Sequence, residues 1–205
     1  MKKIAIIDYG AGNLHSVRKA FSFLGAATEI LEVAPKDQNF DALVLPGVGN
    51  FGAGMEELEK RGFDEFVRNW LQEDRPFLGI CLGLQFLFEE SEECPGRPGL
   101  GILQGKIVRF PFDSERKVPQ IGWNIVKAKD NSNPLFQGLG ENPYFYFVHS
   151  YYCMPKEKET IASTTCYGPE YCSSIKKGNA FAVQFHPEKS QQIGLTLLKN
   201  FLSIS

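Results

Sequence analysis

The sequence predicts an α/β fold, a mostly parallel central sheet flanked by helices with an antiparallel extension, built as one domain over residues 1–205. Three observations carry that expectation. As far as about residue 91, short apolar runs alternate with stretches of helical periodicity, the pattern of a parallel sheet with helices on its faces. After Glu93 the pattern changes: Pro and Gly crowd residues 94–101, and strand-like segments then dominate. No linker, repeat or low-complexity tract separates the two halves, so the second reads as an extension of the first sheet.

The elements follow in order. Lys3–Ile7 is a β-branched apolar run, the signature of a buried strand. Asp8–Gly12 forms a turn and Asn13 is placed to cap a helix. In that helix Leu14, Val17, Ala20, Phe21 and Leu24 recur at helical spacing, and Gly25 ends it. Thr28–Val33 and Ala42–Leu45 are the next strands. Met55–Leu71 reads as one polar-faced helix, Phe77–Ile80 as a short buried strand, and Leu82–Phe88 as a helix. The strand candidates of the second half are Ile107–Phe110, Gln120–Val126, Tyr144–Tyr152, Thr160–Tyr167 and Tyr171–Lys176. Ala180–Phe185 is a last core strand, and Ser190 is placed to cap a C-terminal helix carrying Ile193, Leu197, Leu198 and Phe201.

Composition narrows the function classes. Of 205 residues, 43% are hydrophobic and 22% charged, enough apolar material for a sizeable core. A formal charge of −2 gives no basis for a nucleic-acid surface. The apolar run after Lys3 stops at Asp8, too short for a signal core, and no stretch has the length of a membrane span. The expectation is a cytoplasmic protein without membrane contact. The five cysteines (Cys81, Cys94, Cys153, Cys166 and Cys172) show no metal-site spacing, so no disulfide framework, metal or cofactor is expected.

The sharpest local signal is Gly79-Ile80-Cys81-Leu82-Gly83, between a buried strand and a helix. It fits the G-x-nucleophile-x-G elbow with Cys in place of Ser, in which a tight turn projects the nucleophile at the sheet's edge. The helix N-terminus favours thiolate. Alone, the pentapeptide is equally consistent with a buried structural thiol. A catalytic thiolate requires a general base, and three histidines are available. His15 falls on the first helix as a solvated residue. His149 sits in an aromatic strand, as a core histidine or a second-choice base. His186 follows the core strand and precedes Pro187-Glu188. In an extended chain His186 and Glu188 point the same way, so the carboxylate can orient the imidazole. The Leu82 amide, directly after the nucleophile, is one candidate oxyanion donor; the Pro46–Gly49 loop is the other, unless it is an ordinary glycine-rich turn.

These motifs resemble the class I, triad-type glutamine amidotransferases. The resemblance rests on Gly79–Gln85, Val183-Gln184-Phe185-His186-Pro187-Glu188 and Pro46–Gly49. Within the family it is narrowest to the glutaminase subunits of imidazole glycerol phosphate synthase, in histidine biosynthesis. Asp8–Leu14, Pro46–Gly52, Ile121–Asn124, Phe147–Tyr151 and His186–Ser190 carry this narrower likeness, collinear along the whole chain. It implies the flavodoxin-like sheet of that family. It also implies hydrolysis of L-glutamine through a Cys81 γ-glutamyl thioester, with His186 as base and Glu188 as its orienter.

Oxyanion donors are then the amides of Val48 and Leu82, and Gly47, Gln85, Glu93, Ser150 and Tyr151 hold glutamine. Glu93 also fits a solvated acid in a charged run. The implied partner is a (β/α)8-barrel cyclase subunit, HisF-like, forming a heterodimer and receiving ammonia. Trp123, Asn124, Asn13 and Lys189 would face it, Trp123 being equally suited to a core. The rival expectations are the same module in a paralogous pair, such as one for surface-sugar amidation, a free-standing γ-glutamyl hydrolase, and a regulatory module without turnover.

Overall fold

The computed structural model describes every residue except 113, 115, 131 and 205. In chain order the elements are β1 (Lys3–Ile7), α1 (Leu14–Phe23), β2 (Ala27–Leu31), β3 (Ala42–Gly47), α2 (Phe51–Lys60), α3 (Phe63–Gln72), β4 (Phe77–Cys81) and α4 (Leu82–Gln85). Then come β5 (Phe88–Ser91), β6 (Leu103–Arg109), β7 (Gln120–Ile125), β8 (Lys127–Ala128), β9 (Tyr144–His149) and β10 (Tyr151–Pro155). The chain ends with β11 (Ile161–Cys166), β12 (Glu170–Lys177), β13 (Ala180–Val183) and α5 (Gln191–Ile204).

The main sheet runs β2-β1-β3-β4-β13-β12-β10-β6-β5. Its first five strands are parallel, and β12, β10 and β6 then join antiparallel to their neighbours. Parallel strands need cover on both faces, and alternation along them supplies it. Ala5, Ile7, Leu43 and Leu45 face Met55, Leu58, Val67 and Trp70 of α2 and α3. Ile4, Ile6, Ala42 and Val44 face Val17 and Phe21 of α1 and Leu197, Leu198 and Phe201 of α5.

Four local readings are corrected. The single helix expected over Met55–Leu71 is two, because Gly62 takes a left-handed conformation (φ 73°) that stops α2 and starts α3. The helix expected over Leu82–Phe88 ends at Gln85. Its continuation pairs instead with a distant segment: Leu100 N–H donates to Phe86 O and Leu103 N–H to Leu87 O. Tyr144–Tyr152 is not one strand. It changes sheet at Ser150: β9 pairs with β7 in a separate two-stranded ribbon, while β10 joins the main sheet. Ser190 precedes α5, but its hydroxyl accepts from Tyr146 N–H and donates to His186 O, so it ties the ribbon to the His186–Lys189 turn rather than capping the helix.

The turn from β4 into α4 is packed to backbone contact. A Cβ on Gly83 would run into the Leu45 carbonyl, and one on Gly79 would lie 2.7 Å from the Gly83 carbonyl. Neither obstacle is a flexible side chain. Gly83→Ala is therefore expected to destabilise the fold by about 1–3 kcal/mol, the usual cost of overpacking, as read by denaturant unfolding.

Candidate active site

Cys81 ends β4 with φ 55° and ψ −105°, a left-handed conformation rare outside glycine. The side chain, 6% exposed, leaves the end of the sheet beside β3 and β13. Residue Gly47 of β3 lies opposite Cys81, so the loop Val48–Asn50 starts next to that cysteine. His186 lies three residues past the end of β13, and its N–H donates to Tyr146 O at 2.9 Å.

The imidazole and carboxylate meet as expected, but by another route. Pro187–Lys189 is a 3-10 turn rather than an extended continuation of the strand. It brings Glu188 Oε1 to 2.8 Å from His186 Nδ1, both side chains 2% exposed. A carboxylate only accepts, so Nδ1 carries the proton that it receives, and Nε2 is left for Cys81. Nε2 is buried without another hydrogen-bond partner. Burial alone would lower the His186 pKa. The charge and hydrogen bond of the Cys81 sulfur, together with Glu188, outweigh it and raise the value to about 10.

A cavity of about 270 Å³ opens at Cys81, walled by Val48, Gly49, Leu82, Gln85, Glu93, Pro119 and the segment Val148–Tyr151. It lies just under the roughly 300–1,000 Å³ of drug-sized sites, a scale suited to one amino acid. Most of the expected substrate residues line it. Gly47 does not: it lies beneath, wedged between the Tyr9 hydroxyl and Leu82. Glu93 reaches the cavity while one carboxylate oxygen accepts from Phe51 N–H at 2.7 Å, at the start of α2. The Val48 amide lies against the buried Tyr9 phenol. Burial pushes that phenol's pKa far up and Cys81 adds to the rise, while the Val48 amide acts in the opposite direction. Pro119, in an irregular segment, gave no sequence signal; Val148 falls within the Phe147–Tyr151 likeness but is assigned no role there.

The other histidines separate cleanly. His15 is exposed on α1. His149 is buried, its Nδ1–H donates to Tyr151 O at 2.8 Å, and its Nε2 meets the Tyr171 hydroxyl at 3.2 Å. Burial pushes its pKa down to about 4, so it is neutral. It is a core histidine that forms part of the cavity wall.

Among the residues expected to face a partner, Trp123 is 45% exposed. Its ring packs edge-on against Tyr146, 6.2 Å away, and Lys189 Nζ lies 5.8 Å from the other ring. Asn124 instead uses its amide internally, on Cys166 O and Ile125 N–H. Asn13 Oδ1 accepts from Ser16 N–H and caps α1. Among the described residues, no helix is long and apolar enough to cross a membrane.

Because Cys81 supplies much of the upward shift at His186, Cys81→Ala is expected to move the His186 midpoint down from about 10. An NMR titration of ring resonances reads this directly. The wild-type imidazole is expected to remain protonated through neutral pH; an unchanged midpoint in the variant would assign the shift to Glu188 alone.

The class-I glutamine amidotransferase family model matches residues 5–204. The imidazole glycerol phosphate synthase subunit HisH of Chlorobaculum tepidum is 50% identical over 200 residues, covering 97% of this chain and 98% of the relative. The subunit of the same name from Acinetobacter baylyi is 45% identical over 202 residues, covering 98% of each. Among solved structures, PurLQS from Thermotoga maritima superposes with a TM-score of 0.77 at 17% identity, covering 99% of each chain. A glutamine amidotransferase from the same organism reaches 0.70 at 17% identity, covering 98% of this chain and 96% of the other. At such identities the structures speak to the fold alone. The family match and the relatives, which extend over nearly the full length, reach further: the chain belongs to the class-I glutamine amidotransferases, in the group of HisH subunits of imidazole glycerol phosphate synthase.

Proposed function

We propose that this chain, acting as one domain in the cytoplasm, is the glutaminase subunit of an imidazole glycerol phosphate synthase. It hydrolyses L-glutamine and delivers the ammonia to a (β/α)8-barrel cyclase subunit. The observation that carries the chemistry is the line from Glu188 through His186 Nδ1 to a free, buried Nε2 beside Cys81, at the head of an amino-acid-sized cavity.

In the reaction the Cys81 sulfur attacks the γ-amide carbon and the Leu82 amide receives the developing oxyanion, the Val48 amide joining it only on turning away from the Tyr9 phenol. The imidazolium donates its Nε2 proton to the departing ammonia. The thioester carries no thiolate charge, so the largest influence holding His186 protonated is gone. The neutral ring then takes a proton from water, which attacks the acyl carbon and releases glutamate. Glu188 keeps Nδ1 protonated through both halves. Gln85, Glu93, Ser150 and Tyr151 surround the substrate, and Gly47 supports the loop from below.

The outer face of the β7–β9 ribbon supports the partner reading. The pairs Ile121–Val148, Trp123–Tyr146 and Ile125–Tyr144 share that face by alternation. Ile121, Trp123 and Tyr144 are 63%, 45% and 53% exposed, a contiguous apolar strip beside Lys189. Such strips mark contact surfaces. Asn13 is placed in the same interface by the family resemblance alone, and Asn124 would act there by holding the ribbon's shape.

The test is glutamate release from glutamine by the purified chain, alone and with a histidine-pathway cyclase carrying its nucleotide. Turnover that rises with the cyclase and vanishes in Cys81→Ala is expected; turnover indifferent to the cyclase would move the module to another synthase or a free-standing hydrolase. His186→Ala should lose more activity than Glu188→Gln, since the carboxylate orients the base without exchanging protons with substrate. Trp123→Ala is expected to weaken cyclase binding by on the order of 2 kcal/mol, measured by calorimetry. Unchanged affinity would place the interface elsewhere.

A further inference from the structure

The triad leaves one polar neighbour of the nucleophile unexplained. Gln184 is fully buried, two residues before His186, and its side-chain nitrogen lies 3.7 Å from Cys81 Sγ. Carboxamide oxygen and nitrogen are interchangeable in shape, so the donor must be fixed by neighbours. Here a backbone carbonyl fixes it. Tyr151 O only accepts, so the Gln85 atom 3.1 Å away is the amide nitrogen. That nitrogen also donates, at 3.2 Å, to the Gln184 side chain, whose facing atom is therefore Oε1. The remaining Gln184 atom, Nε2, then has to face the sulfur. Tyr151 O also accepts from the neutral His149 at 2.8 Å, which anchors the start of the chain.

We propose that Gln184 is a further catalytic residue, donating its Nε2–H to Cys81 Sγ so that the thiolate is favoured over the thiol, with Gln85 as the positioning residue that aims it. The proposal deepens the glutaminase reading and rests on it for the identity of the nucleophile. A donor facing an anion contributes more than one facing a neutral group, and a buried amide held at both ends needs no reorganisation when the charge forms. The thiolate would thus sit between two donors, His186 Nε2–H and Gln184 Nε2–H. Gln85 assumes a role beyond the cavity wall: both its N–H groups are engaged, and only its oxygen remains for substrate.

The test compares the full chain with Gln184→Met, which keeps the length and removes the donor, and with Gln184→Glu, which sets a carboxylate against the sulfur. The readout is the rate of Cys81 alkylation by iodoacetamide across pH, followed by peptide mass spectrometry to separate Cys81 from the other thiols. Gln184→Met should move the midpoint of that profile up by about one unit, and lower kcat about tenfold with a smaller change in KM. Gln184→Glu should move it further.

A merely structural role would reduce the reactive fraction without moving the midpoint, and a Gln184→Met profile that coincides with wild type overturns the proposal. Should Gln184→Met fail to fold, Gln85→Met, which leaves the donor present but unclamped, is expected to give a smaller upward move; an unmoved midpoint there also overturns it. Alkylation needs no substrate. A chain that reacts at Cys81 yet releases no glutamate, with or without a cyclase, sinks the glutaminase reading while the profile still decides the hydrogen bond.

Discussion

The left-handed backbone at Cys81 is the constraint around which the site is arranged. Such a conformation costs on the order of 1–3 kcal/mol and persists only where its surroundings over-determine it. Here they do. β4 is buried along its whole length between β3 and β13, and both neighbours are held in parallel register up to the turn. Gly83 lies against the Leu45 carbonyl, so α4 starts in backbone contact with the sheet and leaves no room for a side chain at the turn. The same registers bring Gly47 opposite Cys81 and Val183 opposite Ile80. The strand ends that force the nucleophile into its turn therefore also start the Val48–Asn50 loop and the run to His186. Strain and assembly of the site have one cause.

Electrostatics at this turn work in sequence rather than in sum. His186 is pulled down by burial and up by its neighbours, of which the Cys81 sulfur acts most strongly. Of the upward influences, those of the sulfur depend on its charge, which in the proposed reaction is consumed when the sulfur bonds to carbon. A group tuned by a partner that the reaction itself neutralises can serve as acid in one half and base in the next. Glu188 is not consumed, which suits it to holding the tautomer. His149 shows the contrast. It is as buried as His186, but the one group that favours its charged form is the Tyr151 carbonyl; no anion offsets burial, and the His186 charge adds to the fall, so it stays neutral.

Much of this was legible in the sequence because it is local. The apolar runs of β1, β3, β4 and β13, the elbow around Cys81 and the His186-Pro187-Glu188 step each lie within a few residues. What escaped depends on distant partners. The shortness of α4 follows from pairing with Leu100 and Leu103, which no periodicity over residues 82–88 reports. The separation of the β7–β9 ribbon follows from the switch at Ser150, whose carbonyl is taken by Phe110 N–H. Gln184 reads as one more residue of a core strand until Gln85, 99 positions away, fixes which end of its amide meets the sulfur. The break between α2 and α3 is different in kind. Gly62 stands in plain view within the segment read as one polar-faced helix, and its left-handed backbone is what divides it.

The ribbon's detachment from the main sheet has a consequence for how the two ends of the site relate. Strand β9 carries Tyr146 outward against Trp123, while its last residue, His149, borders the cavity. Through its own backbone Tyr146 accepts from His186 N–H at 2.9 Å and donates to Ser190 Oγ at 3.0 Å. The residue that presents an aromatic ring to the exterior is thus bonded through both its backbone groups to the turn bearing His186 and Glu188. A strand inside the eleven-stranded sheet would be held by its neighbours on either edge. A two-stranded ribbon has no such restraint on its free edges, so its position is set by what it touches: the triad loop on one side and, in the proposed complex, the cyclase on the other. The exposed Trp123–Tyr146 face and the His186 turn are therefore joined through the backbone of one residue, Tyr146.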